Sequence, residues 1–131
     1  MTNLSLCAAV TAFVVLLGCS RPAAPPSLPA ALDGGWVRGE TETPREPPEL
    51  VRKLGLARSH AAVYSGSGKL AVTVYEMTSD SGAFELVQKW KAEPGQIFLH
   101  KGRYFVLVQS PGMDTRTLSR LAGQIEAALG R

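Results

Sequence analysis

Cysteine is scarce: both cysteines, Cys7 and Cys19, lie within the first 19 of 131 residues. Residues 20–131 therefore contain no thiol. This excludes a disulfide, a thiolate nucleophile and a cysteine-based metal site from that part of the chain. A domain formed there must be stabilised by packing alone, and the chain length allows one domain at most.

The sequence also has few residues of the kinds that build catalytic or metal sites. His60 and His100 are the only histidines, and neither has a second ligand at metal-binding spacing. No Gly-x-Ser-x-Gly motif occurs. We therefore predict no catalytic residue, no metal and no cofactor, and a protein that is not an enzyme.

The first 18 residues contain no charged side chain. Leu6 to Leu17 form a mostly apolar run, shorter than the ~20 residues that a helix needs to span a bilayer but typical of a secretory signal peptide. The run ends in Leu16-Leu17-Gly18-Cys19, which resembles a bacterial lipobox. The resemblance implies that residues 1–18 are a lipoprotein signal peptide, cleaved after Gly18, and that Cys19 carries the lipid, including palmitate.

Met1 to Ser5 lack the Lys or Arg that usually precedes the apolar run of a signal peptide. Either the true start lies upstream or the free amino group supplies the charge. Two alternatives to a lipoprotein signal stay open: a plain cleaved signal with an incidental Cys19, and a buried core helix. Ser20 resembles the residue that follows the lipidated cysteine in lipoproteins sent to the outer membrane. We expect a bacterial envelope protein, anchored through its lipid to the outer membrane and facing the periplasm, and this compartment argues against a nucleic-acid partner.

Residues 19–46 are rich in Pro and Gly and are predicted to form a tether. Arg21 to Leu32 contain four prolines, which disfavour a helix and favour an extended polyproline conformation. Trp36 is expected to be the first residue docked on the domain. Residues 47–131 are predicted to form a single α+β domain.

Within that domain the pattern predicts three helices and two hairpins. Helices are expected after Pro48, after Ser79 or Asp80, and from Asp114. The hairpin strands are predicted at residues 61–64 and 70–77, and at residues 96–100 and 103–109. The helix–strand–strand–helix–strand–strand–helix order predicts a four-stranded antiparallel sheet with the helices packed on one face.

The two strand–strand–helix halves align at an offset of 34 residues, with Asp80 falling on Asp114. The same region resembles a family of uncharacterised domains in bacterial secreted proteins. The residues that carry the resemblance are Tyr64, Val72, Val74, Tyr75, Asp80, Ala83, Phe84, Gly102, Arg103 and Tyr104. That family has no activity to transfer, so the resemblance implies a fold.

Strand alternation leaves one sheet face without the two long helices. This face would show Tyr75, Phe98, Phe105 and Leu107 and is a candidate interface, because large apolar patches mark binding surfaces. Three alternatives stay open: cover by the first helix or by Trp36, a homodimer or other protein partner, and a small lipophilic ligand.

We therefore predict a lipid-anchored envelope module that binds or scaffolds. One alternative is a small-ligand-binding domain. Another is an envelope enzyme that uses His60 or His100 with Glu76 or Asp80.

Overall fold

A computed structural model describes residues 26–129. The predicted signal peptide, residues 1–18, and the candidate lipidation site Cys19 lie outside this range. The described chain forms one antiparallel sheet in the order β1-β2-β3-β4-β6-β5, with three helices. The strands are β1 (Ala31–Leu32), β2 (Trp36–Glu42), β3 (Leu56–Ser65), β4 (Lys69–Met77), β5 (Gln96–Lys101) and β6 (Tyr104–Gln109), and the helices are α1 (Glu49–Lys53), α2 (Asp80–Lys89) and α3 (Thr115–Ala128).

The predicted helix starts are confirmed by their caps. The Ser79 hydroxyl accepts a hydrogen bond from the backbone N–H of Gly82 at 3.1 Å. The Asp114 carboxylate accepts one from the N–H of Thr117 at 2.9 Å. Each side chain satisfies one of the N–H groups that a helix start leaves unpaired. Gly55 follows α1 at φ 98°, a left-handed conformation that ends the helix at low steric cost.

The predicted tether is wrong over much of its length. Part of it forms the hairpin β1–β2, which extends the sheet beyond β3 and makes six strands instead of four. Leu28, Leu32 and Trp36 are buried in the core. The free energy gained by burying these three apolar side chains outweighs the tendency of a proline-rich segment to remain an undocked linker. The Tyr64 hydroxyl also donates a hydrogen bond to the carbonyl of Pro29 at 2.6 Å.

Trp36 also fixes the conformation of the β3–β4 hairpin. It lies against Gly66, where an added Cβ would be 2.7 Å from the indole Cδ2. Glycine is therefore required there by the close approach of the ring. Trp36 docks on the domain as predicted, on the sheet face that α3 covers, but it is not the first residue to do so, because Leu28 and Leu32 precede it in the core.

That face carries the larger core. Val72 and Val74 of β4 alternate with residues of the other face and pair with Val108 and Val106 of β6. Helix α3 packs on them through Leu118, Leu121, Ala122 and Ile125. This apolar stripe of α3 is as predicted.

The opposite face is covered by α1 and α2, so the prediction of helices on one face is wrong. Met77 of β4 lies on this face, and after only two connecting residues the chain enters α2 without crossing the sheet. The longer connection after β6, residues 110–114, turns at Gly112 and takes α3 to the other side. The two strand–strand–helix halves that align at an offset of 34 residues therefore place their helices, α2 and α3, on opposite faces of the sheet. No helix of the described part is long and apolar enough to cross a membrane.

Candidate functional site

The face of α1 and α2 is only partly covered, and the uncovered part is a groove of about 680 Å³. Its floor is formed by small side chains that alternate with core residues along two paired strands. The floor residues are Ala61 and Val63 of β3 and Ala71 and Thr73 of β4. Because no large side chain stands on this floor, the backbone of the sheet is approachable from solvent.

Three larger side chains form the apolar end of the groove. Tyr75, Leu107 and Trp90 line it and belong at the same time to the core beneath α2. Trp90 packs on Phe105 with ring centroids 5.1 Å apart. Burial raises the pKa of the Tyr75 hydroxyl, because a phenolate is poorly solvated in such surroundings. This end of the groove therefore favours uncharged, apolar groups.

Polar groups lie along the rims. The side-chain Nε2 of Gln96 donates a hydrogen bond to the side-chain Oε1 of Gln109 at 2.9 Å. Lys69 lies at the hairpin end and donates to the Ser65 hydroxyl at 3.1 Å. Glu42 at the end of β2 and the connection to α1, residues 43–48, form the facing rim. The groove thus combines an apolar floor with polar edges, as small-molecule sites do.

The predicted interface residues are covered by the chain itself. Phe105 is fully buried, Tyr75 is 6% and Leu107 5% exposed, and Phe98 is partly buried against Phe105 at 5.7 Å. Of the three alternatives for this face, cover by the first helix is found in α1. The expectation that both long helices avoid this face is wrong, because α2 covers it as well. Only Tyr75 and Leu107 border the groove.

A second cluster surrounds Glu76, on the α3 side of β4. Glu76 is 3% exposed, and its Oε2 accepts hydrogen bonds from Arg58 Nε at 2.9 Å and Nη2 at 2.7 Å. Its Oε1 lies 3.2 Å from Nη2 of Arg103. Both carboxylate oxygens are therefore paired with arginine, which offsets the cost of burying the charge.

His60 and His100 are on opposite faces of the sheet. His60 Nε2 lies 3.9 Å from Glu76 Oε2, too far for a hydrogen bond, and has no hydrogen-bond partner among the described residues. Burial lowers the pKa of His60, and the charge of Arg58 adds to this, against the weaker opposing effect of Glu76. His100 packs on Phe84 at 5.9 Å. Within residues 26–129 no three His, Cys, Asp or Glu side chains are placed to hold a metal ion.

Our sequence reasoning missed the groove floor, although one signal was present. In β4 the large residues Leu70, Val72 and Val74 alternate with Ala71 and Thr73. Alternation distinguishes two faces, but the small residues indicate a groove only once helices are known to leave that face uncovered. The Gln96–Gln109 contact has no short-range signal, because it joins two strands across a hairpin.

No family model matches the chain, and neither does a curated protein or a solved structure. The resemblance to uncharacterised secreted domains therefore stays a prediction, and function must be argued from the geometry.

Proposed function

We propose that this protein is a lipid-anchored component of the bacterial cell envelope that acts by binding, and that the groove on β3, β4 and β6 is its binding surface. The anchor is the lipidated Cys19 at the end of the apolar segment. The anchor is supported by the sequence, and the binding surface by the geometry of the described residues.

The observation that carries the binding function is the groove itself. The side chains on its floor are small and leave the space above them open. At one end Trp90, Tyr75 and Leu107 provide an apolar contact surface. Scaffolding alone gives no reason for such a concave surface, whereas a pocket with a few placed polar groups suits a ligand. The Gln96–Gln109 amides and Lys69 supply those polar groups.

The groove is tested by filling it. Ala71→Phe places an aromatic ring on the floor, whereas Ala57→Phe makes the same change at an exposed position of β3. A screen of amphiphiles and envelope fragments by thermal shift should find ligands that stabilise the wild type and Ala57→Phe but not Ala71→Phe. A ligand that stabilises all three proteins equally would place binding elsewhere.

The anchor is tested independently by mass spectrometry. The native protein should begin at Cys19 and carry acyl chains, and Cys19→Ser should abolish the modification. Two acyl chains give stable anchoring, at ~0.8 kcal/mol per buried methylene. An unmodified Cys19 in membrane fractions would contradict the anchor while leaving the groove unaffected.

The enzyme alternative has one observation in its favour, the 3.9 Å approach of His60 to Glu76. The Glu76 oxygens are already paired with Arg58 and Arg103. Because both oxygens of Glu76 are engaged by arginine, this arrangement supports a structural ion-pair role for Glu76 better than a role in general-base catalysis with His60. Binding is therefore the function that we propose.

A further inference from the structure

We propose that the groove receives one acyl chain of a phospholipid from the same membrane that holds Cys19. This inference rests on the proposed lipid anchor and identifies the class of ligand for the proposed binding surface. Three features support it: the reach of the chain between the anchor and the domain, the end of the sheet at which the groove lies, and the groove's dimensions and chemistry.

The distance between anchor and domain is short. Within residues 26–129, Leu28 is the first residue in the core, and it follows Cys19 by nine residues. Nine residues span at most ~30 Å when fully extended. With a tether of residues 19–46, as the sequence predicted, the domain could lie far from the bilayer. The docked β1–β2 hairpin removes most of that length and keeps the point of attachment close to the membrane.

The point of attachment and the groove lie at the same end of the sheet. Pro29 is bonded to Tyr64, which pairs with Leu70 across the β3–β4 hairpin. The next pair, Val63 and Ala71, points to the opposite face and forms the groove floor. The end of the domain that the anchor holds near the bilayer is therefore the end at which the groove begins.

The dimensions and chemistry of the groove fit a lipid chain. From Lys69 to Tyr75 along β4 the groove spans seven residues, a length of ~20 Å at a rise of ~3.3 Å per residue. One leaflet occupies about half of the ~30 Å hydrocarbon core, so a single lipid chain is about 15 Å long. Tyr75, Leu107 and Trp90 give the far end an apolar surface, while Lys69 at the hairpin end suits a headgroup phosphate.

Trp90 allows a direct test, because it lines the groove and the chain has only one other tryptophan, Trp36, on the opposite face. The acylated full-length mature protein is reconstituted into phosphatidylcholine vesicles whose acyl chains carry bromine, a contact quencher of indole fluorescence. Trp36→Phe reports Trp90 alone, and Trp90→Phe reports Trp36 alone. Matched vesicles without bromine give the reference emission.

We expect bromine to remove most of the Trp90 emission and to leave the emission of Trp36 nearly unchanged. Adding Ala71→Phe to Trp36→Phe should restore the Trp90 emission, while adding Ala57→Phe should not. Thr73→Leu gives a second, smaller block of the floor, and circular dichroism establishes that each variant is folded.

The outcomes separate this inference from the proposed function. Vesicle flotation with undiminished Trp90 emission overturns the lipid-chain ligand and leaves the anchor intact. Quenching that persists in folded Ala71→Phe also overturns it, because the domain would then merely rest in the bilayer surface. Failure to float overturns the anchor and this inference together.

Discussion

Glu76 is a charged residue whose side chain is almost completely buried. Its side chain is 3% exposed, whereas those of Arg58 and Arg103 are 34% and 45% exposed. The arginines keep contact with solvent while neutralising the carboxylate between them. Such a cluster stabilises one arrangement of β3, β4 and the β5–β6 turn, because each partner comes from a different segment.

Glu76→Gln should lower the free energy of unfolding by ~1–3 kcal/mol, because the two guanidinium groups lose the negative charge that they share and one of its two acceptor oxygens. Their partial exposure lets water replace some of the lost bonds, which keeps the effect below that of a fully buried pair. Glu85→Gln is the control: Glu85 is exposed and 3.9 Å from Lys89, so its loss should cost under ~0.5 kcal/mol. Urea denaturation measures both, and equal values would show that the cluster contributes no net stability.

His60 should make stability depend on pH. Its pKa is lowered in the folded state by burial and by Arg58, so the unfolded chain binds the proton more readily. Neutral His60 therefore makes its full contribution to the free energy of unfolding above pH ~6.5, the ordinary pKa of histidine. As the pH decreases below this value, the free energy of unfolding falls, because the unfolded chain takes up the proton more readily than the folded one. His60→Asn should flatten this slope. His100→Asn retains His60 and should retain the slope; a slope that persists in His60→Asn would assign it to another group.

At the scale of elements, the core of the sheet and its helices could be predicted from local patterns. Alternation in β4 and β6, the caps Ser79 and Asp114 and the stripe of α3 all operate within a few residues. The face that each helix covers could not be predicted in this way. It depends on whether a connection crosses the sheet edge, and that is a property of the three-dimensional path.

The β1–β2 hairpin was missed for a related reason. Its strands lie in a stretch whose prolines and glycines are typical of linkers, and only Leu28, Leu32 and Trp36 contribute to the core. These three residues are four apart among prolines that disfavour a helix, and they do not show the residue-by-residue alternation that indicates a strand. They find their site only because Tyr64 and Gly66, far along the chain, form a complementary surface.

Trp36→Ala should therefore destabilise the domain by ~3–5 kcal/mol, the usual cost of removing a buried tryptophan side chain. Val37→Ala is the matched change at the next residue, where the side chain is 57% exposed, and should alter stability by less than ~0.5 kcal/mol. Thermal and urea denaturation provide the measurement. A Trp36→Ala protein as stable as the wild type would return residues 28–42 to the role of a tether.

At the scale of the whole molecule, the sheet is covered on both faces, and the groove is the part that the helices leave. Helix α3 covers one face together with the N-terminal segment, while α1 and α2 cover one end of the other. The sequence predicted the apolar residues of this second face and offered the first helix as one possible cover, but it did not predict that α2 lies there as well. Two of them, Tyr75 and Leu107, connect the covered end to the groove.

Phe105 distinguishes a covered face from an interface. It is fully buried between Trp90, Phe98 and Tyr75, so Phe105→Glu forces a carboxylate into an apolar core. Burying an unpaired charge costs several kcal/mol, a large share of the ~5–15 kcal/mol that stabilises a domain. We expect Phe105→Glu to lose its cooperative thermal transition, whereas Phe84→Glu, at a side chain that is 51% exposed, should fold like the wild type. Circular dichroism and light scattering on both variants decide between the two readings: a folded Phe105→Glu protein with an altered mass in solution would mean that this face meets a partner, because only an exposed face could accept the charge without unfolding.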